Sequence, residues 1–556
     1  MPTPGQGGGG ARSRRLGGWG FEGEGFPPSA ELLAWLARRL GEPLGPFPLF
    51  DPARFRPPPA RPLPEILAGS TDPLDRLAHA RGQGLPDLLR LRAGTVPALP
   101  DAVLRPDDDG EVERLLRAAA REGVLVIPWG GGTSVTGGVN FLPGEAPAVS
   151  LDLERLSGLE ALDETSGLAT LGAGTPGPAL EAALGASGGG RGFILGHFPQ
   201  SWELSTLGGW AATRASGQES LGYGSIQELV AGLTLIAPAG RLELPAFPAS
   251  AAGPDLRHLV LGSEGRLGVI TRATVRVRPV PERMTVAGTL LPGWPEGLAA
   301  CRELLQADVP LTLLRLSDEP ETEVALAVGL GGRGGLVAPL VRGYLRLRGI
   351  HGSGCLLLAG AAGSPGAVDD TLERTAAVLQ RHGGVSLGES PGRHWLVDRF
   401  RHPYLRDALL DRGIATDTLE TAAPWSRLPE LAAGVRRALE EALAGDGEQV
   451  AVLCHLSHPH RDGASLYFTL FYRCPADPEA AVARWAAAKR AATGAIVRGG
   501  GTLSHHHGVG SWHAPWYEAE VGPQGRALVA AAAAAMDPAG VLNPHVLLDP
   551  ADRLEA

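Results

Sequence analysis

Between Gly123 and Gly138 the chain reads GVLVIPWGGGTSVTGG, an apolar run that passes straight into three consecutive glycines. No other stretch constrains the fold as strongly. A strand without alternating polar residues has to be buried, and this one follows the amphipathic helical pattern DDDGEVERLLRAAARE, so an α/β or α+β domain starts here. Glycines directly after such a strand let the backbone turn tightly and aim N–H groups at phosphate oxygens. The loop lacks the lysine of a P-loop, which argues against nucleoside triphosphate hydrolysis. Standing alone, it is equally an ordinary turn in a glycine-rich chain.

Two further loops change that balance. GHFPQSWELSTLGGWAATRASGQESLGYG, from Gly196 to Gly224, surrounds Gly208 and Gly209 with small residues, hydroxyls and Arg214, as a loop laid against a large planar ligand would. GSEGRLGVIT, from Gly262 to Thr271, adds a Ser/Gly turn running into a strand. Three such loops within about 150 residues point to a buried nucleotide cofactor. A fourth glycine motif, GAGTPG at Gly172–Gly177, satisfies G-x-G-x-x-G but is not followed about 20 residues later by the acidic residue a Rossmann site needs.

At 556 residues the chain exceeds one hydrophobic core, so two or three domains are expected. Residues 1–97 read as an N-terminal arm with helical pieces, SAELLAWLARRL carrying Ser29 as its N-cap. Residues 98–283 hold the loops and the strands AVSLDL, GLATLGA, LVAGLTLIAP and GVITRATVRVRPVP. Residues 284–500 alternate helices with short strands as a second α+β domain, and 501–556 form a terminal segment.

The net charge of -10, with arginines scattered along the chain, excludes a basic nucleic-acid-binding face. The 79 glycines and 48 prolines follow no period and are read as compositional bias. Four distant cysteines, Cys301, Cys355, Cys454 and Cys474, suggest neither a disulfide framework nor a zinc finger, and a cytoplasmic setting is expected. Arg14 and Arg15 precede Gly17, Gly18, Glu22 and Glu24 rather than an apolar stretch, so no export signal is expected. The longest apolar runs are about half the roughly 20 residues of a membrane span.

SHHHGVG, from Ser504 to Gly510, places three histidines beside glycines. Histidine titrates nearest neutral pH and suits proton transfer next to a cofactor. On an extended chain the three side chains alternate sides, and no Cys or carboxylate stands at metal spacing, so no metal site is expected.

The ordered set PWGGGTS, QSWELST, TRAS and EGRLGVI resembles the flavin-binding domain of the vanillyl-alcohol oxidase, or PCMH-type, superfamily. Within it the chain resembles the alkyldihydroxyacetonephosphate synthase (alkylglycerone-phosphate synthase) family over nearly its whole length. GWGFEGEGFP, PYLRDALLDRGIATDTLETAAPW and GGTLSHHHGVG carry that resemblance. It implies an α+β protein with a PCMH-type FAD-binding domain, a second α+β cap or substrate domain and an N-terminal helical arm, the His-triplet segment completing the active site. FAD, held without a covalent bond, would contact Pro128, Trp129, Gly130, Gly131, Gly132, Thr133 and Ser134 in the first loop. In the second it would contact Gln200, Ser201, Trp202, Glu203, Leu204, Ser205 and Thr206, then Thr213, Arg214, Ala215 and Ser216. The third set is Glu264, Gly265, Arg266, Leu267, Gly268, Val269 and Ile270.

The same resemblance makes His505, His506, His507 and Tyr467 catalytic, and Arg406 and Arg315 substrate-binding. Guanidinium groups suit a phosphate dianion because they stay charged and bind it bidentately. The implied reaction exchanges the acyl chain of 1-acyl-dihydroxyacetone phosphate for a long-chain alcohol without net redox. The rival is an FAD-dependent oxidase or dehydrogenase of a 2-hydroxy acid. Lipid-like substrates, a homodimer and peripheral contact with a membrane surface are implied as well. Two stretches depart from the family pattern: SWHAPW stands where a basic continuation is expected, and CHLSHPHRDGASLYF is unusually rich in histidine.

Overall fold

The computed structural model describes residues 13–42, 45–188, 190–330, 338–444 and 449–555. The chain divides into two compact units, one of Leu49–Gly217, Tyr223–Val280 and Thr502–Ala556, the other of Met1–Pro48, Gln218–Gly222 and Pro281–Gly501.

The first is built on two main sheets. Strands Ala102–Leu104, Ala148–Asp152 and Leu125–Trp129 lie parallel in that spatial order. The helix that feeds the last of them, Asp109–Glu122, starts where the Asp108 side chain accepts from the Glu111 N–H and stops at Gly123, whose φ of 68° only glycine adopts freely. Five antiparallel strands follow, in the order Leu159–Asp163, Leu168–Gly172, Val269–Arg276, Val230–Ala237, Gly240–Leu244. A single apolar core joins both sheets through Val126, Val149, Leu151, Leu171, Leu235 and Ile236, with the helix contributing Val112 and Leu116. Each such side chain contributes roughly 1.5–3 kcal/mol by leaving water. The C-terminal residues belong to this sheet: Leu542 bridges beside Val126, and the Asn543 N–H donates to the Val126 carbonyl at 3.0 Å.

The strand expected through GVITRATVRVRPVP is interrupted at Val277, whose N–H donates to the Gly167 carbonyl at 2.8 Å. Arg278–Pro279 then pairs with Phe193–Ile194 in a separate two-stranded sheet. Pro279 has no N–H with which to continue a central ladder.

The second unit is built on seven antiparallel strands, ordered Val385–Gly388, Arg283–Leu291, Cys355–Gly363, Leu313–Ser317, Ala451–Ser457, Gly463–Arg473 and Ile414–Pro424. Directly paired residues share a face. Ser317 pairs with His455, His455 with Tyr467 and Tyr467 with Glu420, a polar row across four strands. Arg315 stands two positions before Ser317 and so joins it. Apolar clusters flank the row. One unites Leu453, Phe471 and Ile414 with Trp35 and Leu36 of helix Ala30–Leu40, and the other unites Leu313, Leu358 and Val286. Helix Ala30–Leu40 begins as its sequence indicates, with the Ser29 hydroxyl accepting from the Leu32 N–H at 3.2 Å. Among the described residues no helix is long and apolar enough to cross a membrane.

Candidate functional site

In the two-sheet unit the four expected cofactor segments are packed into one another. A Cβ added to Gly130 would lie 2.4 Å from Thr206 Oγ1, and one on Gly131 only 2.0 Å from the Leu204 carbonyl oxygen. Gly262, at φ +89°, has room for no more than hydrogen beside Arg214 Cδ, 2.6 Å from where a Cβ would be. Gly265, at φ +78°, sits over Pro128, whose Cγ would be 3.0 Å from an added Cβ. The glycines thus serve loop-on-loop contact, and the TRAS turn passes through Arg214 in the left-handed conformation at φ 54°.

Several of the expected contact residues are already committed within the protein. Leu267, Val269, Ile270 and Ala215 lie in the shared apolar core, so only their backbone can meet a ligand. Arg266 donates to the Leu542 carbonyl at 2.9 Å, and Ser205 Oγ takes the Trp210 indole N–H at 2.7 Å. What remains suits a phosphorylated, polar cofactor. Among the described residues the backbone N–H groups of Gly130, Gly132 and Thr133 make no hydrogen bond, and the buried hydroxyls of Ser263 and Thr271 have no partner. Donors left unmade inside a folded unit cost about 1–3 kcal/mol each, which a bound ligand would offset.

The histidine triplet belongs to the same unit and does not follow the extended path expected from its sequence. Ser504 Oγ accepts from the N–H groups of both His507 and Gly508, each at 2.9 Å, and folds the stretch into a bend. The three rings therefore touch in series. His505 Nδ1 is 3.2 Å from His506 Nδ1, and ring centroids are 5.4 Å apart for His505 and His506 and 4.5 Å for His506 and His507. A nitrogen pair at that distance holds one proton between two bases, which suits proton relay.

Glu264 fixes the bend from behind. Its carboxylate accepts from the Val509 N–H at 2.7 Å and the Gly510 N–H at 2.8 Å, while burial pushes its pKa up to about 7 against those two bonds. Asn543, which no sequence motif singled out, donates to both the Glu264 and Gly138 carbonyls. SWHAPW turns out to be a packing segment: Trp512 is buried against Gly84 and Gly137, and Ser511 Oγ donates to the Gly137 carbonyl at 3.1 Å.

In the seven-stranded unit Tyr467 stands partly exposed in the polar row, hydrogen-bonded to Thr418. Burial pushes its phenol up to about 12 in spite of that bond, so it is protonated at neutral pH. Arg315 Nη2 is shared by Glu321 Oε1 at 2.7 Å and His455 Nδ1 at 3.0 Å. Burial alone would raise the Glu321 carboxyl, but the adjacent Arg315 guanidinium, above all, holds it well below the usual carboxylate range. Glu321 occupies the first turn of helix Glu319–Leu330, where Asp318 Oδ1 accepts its N–H at 2.9 Å and Asp318 Oδ2 accepts that of Cys454. Sequence reading missed Glu321 and Asp318 and met His455 only as an excess of histidine.

Arg406 lies on helix His402–Leu410, its Nε 3.5 Å from Asp407 Oδ1. The other Asp407 oxygen takes the Trp19 N–H at 2.6 Å, and the Tyr404 hydroxyl donates to Glu24 at 2.9 Å. The GWGFEGEG stretch is thereby tied to the helix that carries Arg406.

A parallel and an antiparallel sheet sharing one core, with interlocked glycine loops, together with a seven-stranded antiparallel unit, define a PCMH-type FAD-linked oxidase fold. Residues 100–244 match the FAD binding domain family, and residues 280–547 match the family described as FAD linked oxidases, C-terminal domain. The alkyldihydroxyacetonephosphate synthase of Dictyostelium discoideum is 34% identical over 82% of this chain and 74% of its own. That of Trypanosoma brucei brucei is 31% identical over 86% and 78%. A solved alkyldihydroxyacetonephosphate synthase superposes with a TM-score of 0.80 at 28% identity, over 96% of this chain and 98% of the other. The chain belongs to the alkyldihydroxyacetonephosphate synthase family.

Proposed function

We propose that the protein is an FAD-dependent alkyl transferase that exchanges the acyl chain of 1-acyl-dihydroxyacetone phosphate for a long-chain fatty alcohol, releasing a fatty acid and an ether-lipid precursor. The observation that carries this reading is family membership over more than four-fifths of the chain. The 2-hydroxy-acid oxidase alternative has weaker support, the glycolate oxidase subunit GlcD of Bacillus subtilis being 25% identical over 80% of this chain. In the exchange one carbon–oxygen bond to the acyl group breaks and one to the alcohol oxygen forms. The alcohol hydroxyl gives up a proton, and the acyl group leaves as a carboxylate.

FAD is the cofactor, and when bound it supplies ring chemistry that returns to its starting oxidation state. Trp129, the three glycines after it and the QSWELST, TRAS and EGRLGVI segments hold it, without a covalent bond. His505, His506 and His507 receive and pass the alcohol proton. Tyr467, protonated at rest, donates a hydrogen bond or proton to a substrate oxygen. Arg406 grips the phosphate, with Arg315 as a second cation near the head group. A homodimer in the cytoplasm, touching a membrane surface peripherally, suits substrates with long chains, and vesicle flotation and light scattering test that part.

The test of the activity is to offer the purified flavoprotein acyl-dihydroxyacetone phosphate with a labelled fatty alcohol beside a panel of 2-hydroxy acids. Alkyl exchange with an unchanged flavin spectrum is expected. Bleaching by a hydroxy acid without alkyl transfer would overturn it. His506→Ala and Tyr467→Phe should each lower turnover at least about 100-fold while leaving the yellow cofactor bound. Full activity in either would remove that residue from the mechanism.

A further inference from the structure

The polar row holds a group that none of these roles uses. The imidazole of His455 stacks on the phenol of Tyr467, with ring centroids 4.9 Å apart and planes 19° from parallel. The two residues are directly paired across adjacent strands, so the stack is built into the sheet register. On its other side His455 is gripped at Nδ1, 3.0 Å from Arg315 Nη2 and 3.2 Å from Glu321 Oε1. Arg315 and Glu321 are themselves joined at 2.7 Å. Glu321 cannot drift, because Asp318 caps its helix turn and bonds the backbone of Cys454, the residue before His455.

One nitrogen cannot serve both neighbours as a neutral ring. Arg315 has only donors, so a neutral His455 accepts from it at Nδ1 and carries its proton on Nε2. Burial and the adjacent guanidinium both favour that neutral form. A neutral imidazole presents a flat face to the phenol without adding charge beneath it. The same bonds turn Arg315 toward Glu321, which offsets its charge inside the row.

We propose that His455 is a positioning residue for Tyr467, held at Nδ1 by Arg315, which Glu321 in turn anchors, and that Arg315 acts first as part of this clamp rather than as a free phosphate ligand. This rests on the reading of Tyr467 as the proton-transferring phenol. The clamp sets the angle at which the phenol hydroxyl meets substrate, so its loss lowers turnover more than substrate binding. A merely structural histidine would give a different pattern.

The experiment uses the full-length flavoprotein, with kcat and KM for acyl-dihydroxyacetone phosphate measured for Tyr467→Phe, His455→Ala, His455→Phe and Glu321→Gln. Flavin absorbance per protein reports folding. His455→Ala should lose about tenfold in kcat with KM within about twofold of the parent, the size expected for a lost ring-on-ring contact that orients a reacting group. His455→Phe restores a flat face and should recover most of that loss. Glu321→Gln, which loosens the grip without opening a cavity, should fall between them and keeps the test alive if the alanine variant fails to retain flavin. Equal kcat in the parent and every His455 variant, with Tyr467→Phe inactive, overturns the clamp alone. An active Tyr467→Phe overturns both the clamp and the reading beneath it. Equal damage from Ala and Phe overturns positioning by stacking, and a KM rise without a kcat loss returns Arg315 to the phosphate.

Discussion

Glu264 is the residue at which cofactor loop and histidine bend are locked together. Its folded carboxyl keeps its proton up to about pH 7, against 4.5 for the ordinary side chain. Between those values the folded state holds a proton that the unfolded state has released, so this group's contribution is full below about pH 4.5 and is lost as pH rises through 7. The shift corresponds to about 3 kcal/mol. Urea unfolding at pH 5 and pH 8 should therefore show a smaller decline in stability for Glu264→Gln than for the parent. Parallel declines would show that the carboxyl is not perturbed. The same substitution leaves a single oxygen for the Val509 and Gly510 N–H groups, and the triplet should lose definition with it.

At the scale of elements, the first loop depends on having no side chain where it meets the second. Gly131→Ala would force a methyl to within 2.0 Å of the Leu204 carbonyl, a backbone atom that cannot swing aside. A loss of about 1–3 kcal/mol is expected, read as weakened flavin retention on dilution. Flavin affinity equal to the parent's would mean that the two loops can part.

Elements of this kind were readable where one local rule sufficed. VLVIP followed by glycines announced a buried strand and a turn, and Ser29 announced a helix. Register was not readable, because it depends on partners far away in sequence. His455 meets Arg315 across 140 positions and owes its place over Tyr467 to strand pairing. Glu321 escaped notice because its helix, with three glutamates in its first five residues and apolar beyond them, has no clear amphipathic period. The triplet was misread in shape: alternation holds for extended chain, and Ser504 bends it.

For the whole molecule, each unit has its own core and its own share of the chemistry. On the proposed reading, cofactor retention falls to the two-sheet unit and substrate gripping to the seven-stranded one. Arg406→Ala should then raise KM for the phosphate substrate at least about thirtyfold, the cost of removing a charged partner, with the flavin spectrum unchanged. Concerted loss of flavin would show that the two tasks are not separable. The departures from the family pattern divide the same way, Trp512 serving packing in one unit and His455 the polar row in the other.

The Asn543 side chain reaches the Gly138 carbonyl 405 positions back along the chain, and Leu542 closes on Val126. At about 5–20 residues per second, a ribosome needs on the order of 20–80 s to span that interval. For most of it the nascent glycine loops have neither Asn543 nor the histidine bend to brace them, while residues 281–501 of the seven-stranded unit emerge. The final bracing of the glycine loops is therefore expected late in synthesis, and chains ending before Leu542 should retain flavin less well than the full-length protein.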